Sequence, residues 1–232
     1  PNQSETQLRP YFAGMTETQN ISRYNEKATI SQKEQVKLTD TLSKFKDTVV
    51  NTKPEVATSG IELQYYFGRR GTDVFKHLKA KDLNTKTGEI TLSSAKKALG
   101  VRIEQTFPLR EILPELYNKL AKIKKGKADT DLLLVNENGK KININKVISE
   151  VFKKGDIDAT LFGGKTKFSM ADWRKTLETD AKGFGLELFA KDLTGRGKTV
   201  QETYVTKDFI EQFKDFVNKR LGLEEVPVEK IK

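Results

Sequence analysis

The chain contains no cysteine. That absence excludes disulfides, thiolate metal sites and cysteine nucleophiles. Histidine is almost absent as well: His77 is the only one in 232 residues. A histidine-rich metal centre or a Ser-His-Asp triad is therefore not expected. His77 stands in Val74-Phe75-Lys76-His77-Leu78 and reads as a helix-face residue. No apolar run approaches the ~20 residues that a membrane span requires, and the first residues carry no signal-peptide pattern. These absences set the expectation of a soluble intracellular protein with no membrane partner, in the cytoplasm or nucleoid, or in a nucleus if the source is eukaryotic or viral. Acidic residues are short in supply, 32 against 42 basic ones, which leaves a net charge of +10.

Such an excess points toward a polyanion, nucleic acid first, although a lysine-rich solvated surface would give the same total. Its distribution adds a little. Lys119, Lys122, Lys124, Lys125 and Lys127 crowd a helix end, where they also suit the helix dipole. Lys96-Lys97 and Lys165 with Lys167 form separate basic turns. A hydrophobic content of 36% over 232 residues is enough for one large domain or a domain with an appendage. The first residue is Pro1 rather than Met, as in a fragment of a longer protein.

Residues 1–29 are polar and without sustained period, and read as an arm or linker. Ser31 followed by Glu34 is a capping-box pattern that opens a helix ending before Pro54. A second helix is expected over 56–67, a break at Gly68, and a third helix over 72–78. Strands are expected over 89–92 and 101–107, joined by 93–100, with a short apolar strand over 131–135. Pro114 opens a helix running to 124, the position where proline is tolerated. Further helices follow over 144–152, from a cap at Ser169, over 186–193 and over 206–221, with a loop over 155–167. The fold class is thus mainly α with a small antiparallel β-sheet (α+β). The main domain spans 30–222 and a tail covers 223–232.

Two stretches carry chemistry. Downstream, Ser169-Met170-Ala171-Asp172-Trp173-Arg174-Lys175 leads into Leu193-Thr194-Gly195-Arg196-Gly197 and then to Tyr204, nine residues beyond Gly195. Upstream, Gly68-Arg69-Arg70-Gly71-Thr72-Asp73 is followed by a hairpin that carries Lys96-Lys97 and ends at Pro108-Leu109. This ordered set, spread over about 140 residues, resembles the catalytic domain of the tyrosine recombinases, the phage-type integrases among them. In that family an arginine lies in a Gly-x-Arg-x-x-Glu box and a lysine on a hairpin. A second arginine lies in a His-x-x-Arg-His box, and a nucleophilic tyrosine follows a Leu-Gly-His turn.

The resemblance implies site-specific DNA strand cleavage and rejoining through a 3′-phosphotyrosine, without any cofactor. Tyr204 is then the nucleophile, Arg70 and Arg174 clamp the phosphate, and Arg196 adds a hydrogen bond to it. Lys97, with Lys96 as the other choice, protonates the leaving oxygen. Arg69, Lys96, Lys165, Lys167, Lys175 and Lys198 are expected along the DNA backbone, with Arg69 in a solvated turn. The implied partners are double-stranded DNA and further copies of the chain, as a dimer or tetramer on DNA. A type IB topoisomerase or a telomere resolvase would use the same residues.

The chain also departs from the pattern. Ala171 stands at the first His position and Lys175 at the second, Gly195 or Arg196 at the later His, and Asp73 at the Glu. The Ala171 and Gly195 departures equally suit a DNA-binding protein that kept the fold and lost catalysis. The family's separate amino-terminal clamp domain cannot be supplied by residues 1–29. The apolar face Phe209, Phe213, Phe216, Val217 and Leu221 of the last helix has two possible uses. It packs on its own domain, or it docks on a neighbouring protomer.

Overall fold

The computed structural model describes residues 30–45, 48–98, 101–155, 170–194 and 207–221. Helix α1 (Gln32–Ser43) starts as its sequence dictates. The Ser31 amide donates to Glu34 Oε2 at 2.6 Å, and the Glu34 amide donates back to Ser31 Oγ at 3.3 Å. Helix α2 (Pro54–Phe67) has proline in its first turn, so Pro54 opens a helix rather than closing the previous one. It is the central helix, because apolar and small residues occupy nearly its whole circumference and bury it on most sides. Helix α3 (Gly71–Lys76) crosses it closely at Gly60. A Cβ on Gly60 would lie 2.1 Å from Phe75 Cζ, so only glycine admits this packing.

Next comes a three-stranded antiparallel sheet in the order β1 (Leu83–Asn84), β2 (Glu89–Ala98), β3 (Val101–Phe107). Pairing of β2 with β3 runs in register from Ile90 opposite Phe107 to Ser93 opposite Glu104. It resumes with Lys97 opposite Arg102. Three residues of β2 therefore face one of β3, a bulge that contains Lys96 and ends at Lys97. The expected connection over 93–100 is instead largely strand, because β3 supplies its ladder partners.

Helices α4 (Leu109–Ile112) and α5 (Pro114–Lys124) follow. The expected strand over 131–135 is reduced to an isolated bridge between Lys79 and Leu132, since no further partner strand extends it among the described residues. Helices α6 (Ile144–Lys154), α7 (Met170–Gly183), α8 (Glu187–Leu193) and α9 (Lys207–Leu221) complete the order.

The elements share one core. Phe67 of α2 lies 5.0 Å, ring centroid to centroid, from both Phe107 of β3 and Phe213 of α9. Phe189 of α8 is 5.4 Å from Phe216 of α9. The apolar face of α9 thus packs on its own domain, with Phe213, Phe216 and Val217 buried. No helix among the described residues is long and apolar enough to cross a membrane.

Candidate active site

Helix α2 ends because Gly68 adopts a left-handed conformation (φ 57°), its amide donating to the Gln64 carbonyl at 2.9 Å. Space demands glycine here as well. An added Cβ would lie 2.9 Å from Thr194 Cγ2 and 3.1 Å from Leu177 Cδ1. The turn 68–70 is therefore pressed against the middle of α7 and the end of α8, elements more than a hundred residues later in the chain.

Arg174 completes this junction from the other side. It is only 7% exposed, its Nη2 donates to the Thr194 carbonyl, and its Nε lies 4.0 Å from Glu178 Oε1. Its neighbour Trp173 is buried edge-on against Tyr65 of α2, with centroids 6.3 Å apart, and this aromatic contact holds α7 to α2. The Leu193-Thr194 turn, the Arg174 helix and the Gly68-Arg69-Arg70 turn thus meet in one place.

The two arginines of the upstream turn are treated very differently. Arg70 caps α3 and is half-buried, and its amide donates to Asp73 Oδ2 at 3.2 Å. Asp73 thereby braces the turn through the backbone. Arg69, expected in a solvated turn, is 1% exposed. Its Nη2 donates to Gln105 Oε1 of β3, and its guanidinium carbon lies 6.0 Å from the Phe107 ring centroid. Burial pushes its pKa down to about 10, with Asp73 opposing that shift and nearby Arg174 adding to it. The reason for the correction is long-range: β3 places a polar acceptor, Gln105, on its inner face beside Phe107.

Lys97 and Lys96 are placed only as backbone positions of β2, at the end of the bulge and within it. Lys175 follows Arg174 on α7 and is half-buried. Ala171 lies in the first turn of α7. Arg196, Lys198, Tyr204, Lys165 and Lys167 lie outside the described residues, as do Gly195 and the cap expected at Ser169.

Sequence reasoning missed Arg220. It sits near the end of α9, 4% exposed, where Nε donates to Asp180 Oδ2 of α7 at 2.9 Å and Nη1 to the Tyr65 carbonyl of α2. It joins the helix that follows Tyr204 to α7, which bears Arg174, and to α2, which leads into the Arg69-Arg70 turn. The signal available was its spacing, four residues after Phe216 on the apolar face. Gln105 had a similar signal, since it alternates in step with Phe107.

A cleft of about 530 Å³, lined by Thr39, Asp40, Lys53, Glu55, Glu62 and Lys119 among others, opens at the first turn of α2. It runs from the far end of this helix toward Glu62, which is still roughly 9 Å along the helix from Gly68. It plays no part in the junction.

No protein-family profile matches the chain, and no curated protein matches it by sequence. A solved structure, the XerH site-specific recombinase bound to its difH substrate in a pre-cleavage complex, is similar with a TM-score of 0.51 and 14% identity. The likeness covers 85% of this chain and 53% of that one, so the chain spans about half the length of the recombinase. At that identity the likeness establishes the fold, mainly helical with a small antiparallel sheet and similar to a tyrosine recombinase catalytic domain.

Proposed function

We propose that this chain binds double-stranded DNA and cuts and rejoins its strands through a 3′-phosphotyrosine on Tyr204. The observation that carries this reading is the junction just described. Gly68 packs on Thr194 while Arg174 binds the Thr194 carbonyl, inside a fold like that of a DNA-bound recombinase.

In this reading the Tyr204 oxygen attacks phosphorus and the bond to the 5′ oxygen breaks. Lys97, or Lys96, donates a proton to that leaving oxygen. Arg70, Arg174 and Arg196 hold the phosphoryl oxygens as negative charge builds, since guanidinium groups bind them bidentately and stay charged. The phosphotyrosine conserves the bond energy. The 5′ hydroxyl can then attack in reverse, and rejoining needs neither ATP nor another cofactor. Lys165, Lys167, Lys175 and Lys198 contact the backbone, and copies of the chain assemble on DNA as a dimer or tetramer. A tyrosine hydroxyl has a pKa near ~10 and must lose its proton at neutral pH. Ala171 can neither accept that proton nor bond phosphate, so turnover is slow.

A duplex nicked near the cleavage point tests the proposal, because loss of the short leaving strand traps the covalent adduct. The expected result is a protein–DNA adduct that survives denaturant and disappears in Tyr204→Phe. Binding with no adduct under any condition would overturn the catalytic part. It would leave the second reading, a DNA-binding protein that has lost catalysis, which the Ala171 and Gly195 positions favour. Relaxation of supercoiled DNA, or closure of hairpin ends, would point instead to the topoisomerase or telomere-resolvase variants.

A further inference from the structure

Arg69 is a fully buried cation whose bonding the described residues do not complete. Of its donors, Nη2 is taken by Gln105, while Nε and Nη1 have no hydrogen-bond partner among the described residues. Taking a guanidinium out of water is costly unless charge and donors are both satisfied. Here the acceptor supplied is a neutral amide. The nearest influences are of both signs, Asp73 favouring the charge and Arg174 opposing it. A methionine or leucine would fill the space beside Phe107 at far lower electrostatic cost. Such a residue weakens the free protein, and its charge acts mainly on its neighbours.

Those neighbours are the proposed phosphate clamps. Arg70 is the next residue, and Arg174 lies within electrostatic reach across the turn packed on Thr194. We propose that Arg69 is a positioning residue for an oxyanion: a buried charge that touches no substrate but raises the positive potential at Arg70 and Arg174, so that a phosphodiester bound there is held more tightly. The inference rests on the phosphate-binding part of the function proposed above and not on cleavage. In it, the strain on the free protein is relieved when an anion arrives, because the incoming negative charge offsets both guanidinium groups in a poorly solvated place.

Two variants read this out. Arg69→Met removes the charge and keeps apolar volume. Gln105→Glu leaves Arg69 in place and gives it a built-in carboxylate. Thermal midpoints of the wild type and both variants are measured with inorganic phosphate against chloride at matched ionic strength, and affinity for a nicked duplex is measured at fixed salt. The expected results are a higher midpoint for both variants in phosphate-free buffer, a smaller phosphate-induced rise than in the wild type, and affinity for the duplex reduced by about tenfold in Arg69→Met.

A purely structural Arg69 gives the reverse pattern. Arg69→Met would melt lower or fail to fold, Gln105→Glu would respond to phosphate like the wild type, and either result overturns the proposal. A wild-type protein that gains nothing from phosphate overturns this inference together with the clamp roles of Arg70 and Arg174. Phosphate and duplex responses that follow the expected order in a protein that never forms a covalent adduct leave it standing while the cleavage reading falls.

Discussion

The guanidinium of Arg220 lies 3.5 Å from the ring centroid of Tyr65, stacked on the last turn of α2. With its bonds to Asp180 and to the Tyr65 carbonyl, this one side chain ties α9 to α7 and α2. Removing it leaves a buried carbonyl without that donor, an uncompensated carboxylate and an unfilled space between aromatic rings. Arg220→Ala should therefore lower the free energy of unfolding by about 3 kcal/mol. Lysine should recover little, because it cannot bond two partners and stack at once. Urea denaturation of the two variants checks this, and a loss within experimental error for Arg220→Ala would mean the cluster is incidental.

Tyr65 makes a prediction about pH. Burial is the main cause that pushes its hydroxyl up to about 12, with Arg220 opposing and Asp180 and Tyr66 adding to the rise. Between the unfolded value near ~10 and the folded one, the native state holds a proton that the unfolded state releases. Stability from this group is thus intact below pH ~10 and is lost as pH rises toward 12, by roughly 2–3 kcal/mol in total. Arg69, whose pKa is depressed, contributes with the opposite sign over the same alkaline range. The clean measurement is therefore a difference. The stability of Tyr65→Phe minus that of the wild type should grow in favour of phenylalanine from pH 9 to pH 12. A flat difference would show that Tyr65 ionises as freely folded as unfolded.

The same physics shows why only part of the molecule was legible in its sequence. Local signals were sufficient where local bonds decide. The Ser31–Glu34 box, the Gly68 break, the strand Val101–Phe107 and the helix Pro114–Lys124 all follow from caps, prolines and alternation. The fates of Arg69 and Arg220 were not legible. Their partners, Gln105 and Tyr65, lie 36 and 155 residues away, and although Arg220 is spaced onto the apolar face of its helix, nothing local says what either arginine meets. The bulge in β2 was hidden for a related reason: Ser93-Ser94-Ala95-Lys96-Lys97 is polar and turn-like, and only pairing with β3 makes it a strand. At the site, the ordered boxes identified Arg70 and Arg174 as candidates. That the Gly68 turn and Arg174 both pack on Thr194 is a contact that spacing alone cannot reveal.

If the clamps and backbone lysines do meet DNA, affinity must depend steeply on salt. Arg70, Arg174, Lys97, Lys165, Lys167, Lys175 and Lys198 are the proposed contacts, and each displaces condensed counterions from a phosphate. With six or more engaged, affinity should fall on the order of 10³-fold between 50 and 200 mM salt. Charge-removing variants at Lys165 and Lys167 should flatten the slope without abolishing binding. Fluorescence anisotropy with a labelled duplex measures both. An affinity that barely changes over that range would remove nucleic acid as the partner.

The last helix bears on assembly. A face spaced as Phe209, Phe213, Phe216 and Val217 can serve its own domain or a neighbouring protomer, and in this chain it closes the core in cis. Phe213, Phe216 and Val217 bury about 1.5–3 kcal/mol each, and Arg220 adds its cluster. Their sum is comparable with the 5–15 kcal/mol that holds a whole domain together. Deleting 207–232 should therefore abolish cooperative unfolding and expose Phe67, Phe107 and Phe189 to solvent, rather than merely weaken self-association on DNA. Phe213→Ala, a loss of about 3–5 kcal/mol, is the milder version and should lower the thermal midpoint in the monomer before any DNA is added. Differential scanning calorimetry of the truncated chain, with a dye that reports exposed apolar surface, decides the matter. A truncated protein that melts cooperatively and binds a single site like the parent, but fails to form dimers or tetramers on DNA, would show that this helix serves the neighbour after all.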